Sequence, residues 1–475
     1  MSRPDSPIRL ESSLFRHPPE ARRRVGKVTS LVSSDRTDIG RRRSNNQDSK
    51  HVLPTSLQQY RARGWLFLVA DGMGAHAAGE LASAIAAARV PQIYQDHSEH
   101  SPPLALQRSI EEANREIYSK GESEPAFKGM GTTCTTLVLH PRGVILGHIG
   151  DSRAYRIRGR TIEQLSRDHS LVWELESDGG MSREQANDAA PKNIITRSMG
   201  PHADVVVDLE GPFPVQAGDV FLLCSDGLSG QVNDAEIGLC AAELEPSDAT
   251  NFLIGLALVR GAPDNITVIV ARAGEEEASK VSRNDSPWPL SEEATSTQRQ
   301  SRQAWIALVV GGICLLLALM LNPWSQLTKQ AIRDWPLVYP ACLFVSGFAL
   351  LGSVASLLFA FMGFLAPQAA RGRVLRVGEV LGKGPYRRYD CGPSEQRLEG
   401  ILTSIESATS GLSPDDQDRT SAILVRARQH AAASSFHEAI TAAAEAIAIF
   451  ARAVEAARGD DTARMAPPTA PHPRG

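Results

Sequence analysis

The spacing of apolar and polar positions divides the chain into stretches of different texture. Residues 1–27 mix Pro4, Pro7, Pro18 and Pro19 with the run Arg22, Arg23, Arg24. They hold too few clustered apolar side chains to repay the entropy of ordering them, so a flexible basic arm is expected. Over 28–273, short apolar runs bounded by Gly, Asp or Pro alternate with longer amphipathic segments. The runs Trp65 to Ala70, Thr132 to Leu139, Val144 to Ile149, Arg153 to Ile157, Val220 to Cys224 and Ile266 to Ala271 are rich in Val, Ile, Leu and Thr and predict strands. Helices are predicted over Glu80 to Val90, Pro103 to Tyr118, Asp234 to Leu244 and Asp248 to Arg260. Asn233 with Glu236 has capping-box spacing, Ser247 can cap the last helix and Gly261 can end it. Hairpins with grouped helices predict a single α+β domain of layered sheet and helix.

Residues 274–303 carry Glu, Ser, Pro and Arg without period and read as a linker. Two apolar segments follow: Ala304 to Leu321, 18 residues without a charge, and Leu337 to Ala366, 30 residues without one. A helix needs about 20 residues to cross the hydrocarbon region. Membrane spans are therefore expected at 304–322 and 337–366, joined by an extracytoplasmic loop over 323–336. Trp305, Trp324, Trp335 and Tyr339 lie at their ends, where amphipathic rings favour the interface. Arg299 and Arg302 precede the first span, while Arg371, Arg373, Arg376, Lys383, Arg387 and Arg388 populate a basic juxtamembrane segment over 367–393. This bias, and an N-terminus with no apolar signal core, places both termini in the cytoplasm, with the protein a two-span resident of the cytoplasmic membrane. The tail over 394–458 starts a helix at Ser413-Pro414, and Ser435 with Glu438 precedes the stripe Ile440, Ala443, Ala444, Ile447, Ala451 and Val454. A helical hairpin that could form a homodimer is expected there, with 459–475 disordered.

Composition narrows the function. The chain has 475 residues, is 42% apolar and carries a net charge of −4, which gives no field to attract nucleic acid. The six cysteines (Cys134, Cys224, Cys240, Cys314, Cys342, Cys391) form no C-x-x-C pair, so they read as reduced thiols and not as zinc ligands. The two apolar spans contain no ionisable residue, which argues against a transporter or channel.

Four aspartates stand where an apolar strand meets a turn: Asp71 after FLVA, Asp151 after ILGHIG, Asp226 after VFLLCS and Asp264 before NITVIV. Singly, each reads as a turn residue. Gathered at sheet ends they would repel strongly unless cations neutralised them, which suggests a metal site. Oxygen donors without His or Cys clusters suit Mg²⁺ or Mn²⁺. Two such ions can activate a bridging water and stabilise in-line displacement at phosphorus, which makes a protein nucleophile unnecessary.

The segments that carry these residues come in a telling order. Thr37-Asp38-Ile39-Gly40 runs through Arg43, Asn46, Gln47 and Asp48. It is followed by Asp71-Gly72-Met73-Gly74, Gly129-Met130-Gly131-Thr132-Thr133, Gly150-Asp151-Ser152-Arg153, Asp168-His169-Ser170, Ser225-Asp226-Gly227 and Asp264-Asn265-Ile266-Thr267. In order and wording this resembles the metal-dependent protein phosphatases of type 2C, the PPM family, in their bacterial style. The resemblance covers 30–272 and implies a layered β-sandwich flanked by helices, here followed by the two transmembrane helices and a helical tail. It implies that Asp71 bridges two ions. The Gly72 carbonyl and Asp48 would serve one ion, and Asp226 and Asp264 the other. Asp151, shared with Asp226, would serve a weaker third ion. Arg43 would bind the substrate phosphate, its planar fork suiting two phosphoryl oxygens. Asp38 would orient metal-bound water.

Gln47 stands where some relatives have Glu, and Ala75 where Gly is common. Met73 occupies the place of a histidine in animal-type members, so no general acid is assigned. His76 and His169 are the candidates, each read first as a structural hydrogen-bonding histidine. Residues 171–194 fall at the family's flap position beside the site. The expected function is a membrane-anchored phosphoserine/phosphothreonine protein phosphatase acting on phosphoproteins, with serine/threonine kinases among its partners. The alternative is a catalytically silent scaffold of the same fold tethered at the membrane.

Overall fold

The computed structural model describes residues 31–53, 56–74, 78–177, 180–191, 194–320, 338–365 and 372–465. The N-terminal arm, His76, the loop between the apolar helices and the last ten residues lie outside them. The first half of the chain runs β1 (Val32–Asp38), β2 (Asp48–Leu53), α1 (Leu57–Arg63), β3 (Trp65–Met73), α2 (Ala78–Asp96), α3 (Pro102–Ser123), β4 (Gly131–Thr132), β5 (Cys134–His140), β6 (Gly143–Ile149), β7 (Arg153–Arg158) and β8 (Thr161–Gln164). It continues through α4 (Leu171–Ser177), α5 (Arg183–Ala189), β9 (Asp208–Phe213), β10 (Val220–Cys224), α6 (Asp226–Ser229), α7 (Asp234–Glu243), α8 (Pro246–Val259) and β11 (Ile266–Arg272).

Two antiparallel sheets stack face to face. One has the order β2-β3-β5-β6-β9, the other β1-β11-β10-β7-β8 with one more strand added at its edge. Alternation explains the layers, because successive residues of a strand point to opposite faces. In β3, Phe67 and Val69 enter the core between the sheets with Leu137, Leu146, Phe221, Leu223 and Ile269. Their neighbours Leu66, Leu68 and Ala70 face α2 and α3, against Ala82, Ala86, Leu106 and Ile110. Both faces are dry, so these strands are written as continuous apolar runs. β1 pairs only with β11 and is half exposed, so it is written VSSDRTD and escapes a search for apolar runs. Helix α2 runs on through Pro91 to Asp96, beyond its predicted end. Helix α8 starts at Pro246 with Glu245 as its N-cap, not Ser247, because Pro at the first position needs no amide partner.

The remainder of the chain returns to this body. β12 (Trp288–Pro289) leads into α9 (Glu292–Met320), which packs along α10 (Val338–Leu365). These two helices are long and apolar enough to cross a membrane, and Leu308, Leu316, Phe348 and Phe361 on their outer faces are exposed. β13 (Val374–Leu375) pairs with β12, and β14 (Arg387–Asp390) pairs with β8. Parts of the segments expected as a linker and a basic juxtamembrane segment therefore pair with each other and with the edge of the β8 sheet. Trp288 is buried with the Arg142 guanidinium 3.9 Å over its ring, Arg387 pairs with Glu176, and Arg388 pairs with Glu163.

Helices α11 (Glu395–Thr409), α12 (Pro414–Ala432) and α13 (Phe436–Met465) form the tail. Ser413 caps α12 as its sequence predicts. The expected apolar stripe lies on α13, and the chain itself covers part of it. Ile440, Ala443 and Ile447 join Leu253 and Leu256 of α8 in one core, while Ala444, Ala451 and Val454 are only partly buried. At Gly255, a Cβ would stand 2.0 Å from Ile447 Cγ2. Ile447→Ala is expected to cost about 2–5 kcal/mol in urea denaturation. Gly255→Ala should loosen α13, read as faster protease cleavage after Asp390; unchanged cleavage would count against this packing.

Candidate active site

Strand register gathers the carboxylates at one end of the sandwich. β2 and β3 pair so that Asp48 lies opposite Asp71. In the other sheet, β10 and β11 are neighbours, so Asp226, opening α6 after β10, and Asp264, just before β11, emerge side by side. Asp151 lies where the chain crosses from β6 in one sheet to β7 in the other.

Backbone and hydroxyl groups hold these aspartates by their inner atoms. The Asp71 amide donates to Thr133 Oγ1 at 2.8 Å, and its carbonyl accepts from the Thr133 amide at 2.8 Å. Ser225 Oγ donates to Asp48 Oδ2 at 2.7 Å and accepts from the Thr267 amide at 2.9 Å. Asn265 accepts from the Gln47 amide at 2.8 Å and donates to the carbonyls of Ile39 and Asn45, which ties the first motif loop to the last. The Gly72 amide donates to the Gln47 carbonyl.

Their outer atoms are left over. Asp48 Oδ1, Asp151 Oδ1 and Asp226 Oδ1 are buried with no hydrogen-bond partner. Burial raises the Asp48 carboxyl to about 7 against the hydrogen bonds of Ser225 and Thr267, with Asp226 and Asp264 raising it further. Asp71 is held well above the carboxylate range by burial and then by Asp48 and Asp226. Asp151 and Asp226 are raised by burial, and then by Asp226 and Asp264 respectively. Asp71 and Asp226 come within hydrogen-bonding reach of each other. Among the described residues, no three of the aspartates bring oxygens within 4.8 Å of one another. Orphaned oxygens, mutual repulsion and an all-oxygen donor set fit hard divalent cations.

Arg43 Nη2 donates to Asp264 Oδ2 at 2.8 Å while half its side chain stays exposed, a cation at the mouth of the carboxylate cluster. Both carboxylate oxygens of Asp38 are engaged. Its Oδ1 accepts from the Gly40 amide at 2.8 Å and from Arg458 Nη2 at 2.9 Å, and its Oδ2 accepts from Arg458 Nη1 at 3.2 Å. His169 is structural: Nδ1 accepts from the Gly150 amide at 3.0 Å, and Nε2 lies 2.9 Å from Asp208. Despite burial, His169 and Arg197 hold the Asp208 carboxyl well below the usual range.

Some site contacts are not evident in the sequence. Arg153 anchors Asp168 through two nitrogens and reaches Asp234 at 3.3 Å, which fixes the floor next to Asp151. The flap is two short helices, α4 and α5, closed at its base by the Ser170–Ile195 bridge. The Arg387 guanidinium stacks 3.8 Å over the Trp173 ring, and Tyr386 meets that ring edge-on. Asp151, Arg153, Trp173, Glu176, Asp226 and Arg387 line a cavity of about 190 Å³ beside the cluster. Arg387 lies some 230 residues after Asp151 along the chain, so no local motif could have announced it.

A crowded carboxylate cluster that fits hard cations, with a half-exposed guanidinium at its mouth, matches what a metal-dependent phosphoryl hydrolase requires. Residues 40–246 match the family model described as Protein phosphatase 2C. The serine/threonine phosphatase stp of Listeria innocua is 36% identical over 240 residues, 50% of this chain and 93% of that one. Protein phosphatase PhpP of Streptococcus pneumoniae is 36% identical over 246 residues, 51% of this chain and 97% of that one. The crystal structure of the catalytic domain of serine threonine protein phosphatase PstP, in complex with 2 manganese ions, is 35% identical, with a TM-score of 0.44 over 52% of this chain and 99% of that one. The chain belongs to the protein phosphatase 2C family, the metal-dependent serine/threonine protein phosphatases. β12 to α13 lie outside the family match.

Carboxyls held above their ordinary range favour the EDTA-treated chain in acid. That contribution is lost as pH rises from about 4 through about 7, and bound Mn²⁺ would restore it. Thermal melts in EDTA at pH 5 and pH 8, then with Mn²⁺ at pH 8, check this. The melting temperature should fall with pH in EDTA and recover with Mn²⁺, and Asp226→Asn should blunt both changes.

Proposed function

We propose that this chain is a membrane-anchored phosphatase that hydrolyses phosphoserine and phosphothreonine in phosphoproteins at a centre of two manganese or magnesium ions. The observation that carries the reading is the set of buried, partnerless oxygens on Asp48, Asp151 and Asp226 next to Arg43. Asp71 would be shared between the ions, with Asp48 and the Gly72 carbonyl on one and Asp226 and Asp264 on the other. Asp151 with Asp226 would serve a third. Bound there, such ions supply an activated water and neutralise charge at phosphorus.

The chain's own groups do the rest. Arg43 takes the phosphoryl oxygens and exchanges its bond to Asp264 for them. Ser225, Thr267 and Thr133 fix the aspartates before substrate arrives, so no reorganisation is needed at the moment of reaction. Arg153 keeps Asp168 and Asp234 neutralised beneath the floor, and the flap limits what enters. The scaffold alternative is weaker, because a binding module has no need to keep these carboxylates crowded and buried against their own repulsion.

Anchoring is supported by the length and polarity of α9 and α10. Phosphoproteins at the cytoplasmic face, receptor-like serine/threonine kinases among them, would then meet the enzyme at raised effective concentration.

The purified full chain in detergent should release phosphate from a phosphothreonine peptide with Mn²⁺ and stop with EDTA. Asp226→Asn should abolish turnover; full activity in that variant would overturn the metal assignment. Arg43→Ala should raise KM on the order of 10–100-fold, the value of one to two charge-assisted hydrogen bonds. On cell fractionation the chain should stay in membranes after alkaline carbonate; extraction into the soluble fraction would remove the anchor.

A further inference from the structure

Three contacts from one side of α13 converge on the segment that leads to Arg43. Glu455 pairs with Arg36 at 3.0 Å, Phe450 lies under the Arg41 guanidinium at 5.9 Å, and Arg458 grips Asp38 through both carboxylate oxygens. The last grip is the most specific. Asp38 is buried and Arg458 only partly exposed, and Arg458 Nη2 also donates to the Gly40 carbonyl at 2.6 Å. A planar guanidinium can hold carboxylate and carbonyl together in this way, and a lysine ammonium cannot match the fork.

The gripped turn is built for one shape. Asp38 accepts from the Gly40 amide, and Gly40 has φ of +77°, with the Asp264 carbonyl 2.1 Å from where its Cβ would stand. The next residue, Arg41, donates its amide to the Ala262 carbonyl at 2.8 Å, and Arg43 follows with its bond to Asp264. A short, fully bonded path thus runs from the tail helix to the guanidinium that faces substrate.

We infer that Arg458 is a positioning residue of the tail, which fixes the Asp38–Gly40 turn and through it the placement of Arg43, so that docking of α13 sets the affinity for the phosphoryl group. This rests on the proposed role of Arg43. Without Arg458, the Asp38 carboxylate keeps only the Gly40 amide of these partners, and the loop loses the contact that joins it to α13. Misplacement of a binding group by 1 Å can cost about 10²-fold, and a loosened turn costs less.

The test uses the full chain in detergent with Mn²⁺ and a phosphothreonine peptide. Turnover by the unsubstituted chain comes first, because its absence would refute the phosphatase reading and not this inference. Given turnover, Arg458→Ala should raise KM about tenfold and leave kcat within about twofold. Arg458→Lys should recover part of that loss, since it restores the charge without the fork. Asp38→Asn should raise KM similarly, and the double variant Asp38→Asn with Arg458→Ala should be no worse than either alone. An unchanged or lowered KM in Arg458→Ala would overturn the inference. So would a fall in kcat matched by a lower melting temperature, which would make the contact a staple only.

Discussion

The structure depends on burying like charges. Several carboxylates are pressed together at one end of a sandwich, in a place where each is costly to ionise. The surrounding architecture makes that crowding rigid. Strand register fixes Asp48 against Asp71, adjacent strands fix Asp226 against Asp264, and the Ser225 hydroxyl takes one oxygen of Asp48 while the other stays buried without a partner. The sheets beneath the site are apolar on both faces, which gives these aspartates a rigid base.

Legibility in the sequence followed burial. Strands dry on both faces, such as β3, β10 and β11, are plain as apolar runs, and their ends marked the aspartates. Strands with one wet face were not legible: β1 and β14 are polar because each lies at the edge of its sheet. Arg43 and Asp48 were legible only as part of a worded motif, since an arginine in a run of three looks like solvated charge. Asp38 shows the limit of that approach. Its motif gave no sign that its carboxylate is engaged by Arg458, some 420 residues further on. Partnerships across that distance leave no periodicity or spacing to read.

The same limit applies to the segments beyond the catalytic half. Composition reads 274–303 as a linker and 367–393 as a basic juxtamembrane segment, because Pro, Ser and Arg are common to both loops and short edge strands. Tertiary pairing adds what composition does not carry: Glu163 and Glu176 draw Arg388 and Arg387 onto the catalytic sheet and flap, and α8 takes Ile440, Ala443 and Ile447 of the tail. These acidic partners lie in the first half of the chain, so local sequence could not reveal the attraction.

The β12–β13 pair has a consequence for how far the enzyme can work. A free tether of 30 residues would let a catalytic body wander about 30 Å from its point of attachment. Here the chain leaves for the apolar helices at Pro289 and comes back at Val374, and those two points lie opposite each other in an antiparallel pair, with the Leu290 amide donating to the Arg373 carbonyl. Anchored as proposed, the body would stand on a short two-stranded neck, at a set height and with one side always turned to the bilayer. Its range would be fixed by the neck and not by diffusion on a leash, so a target's phosphorylated segment would have to be long enough to bridge that height.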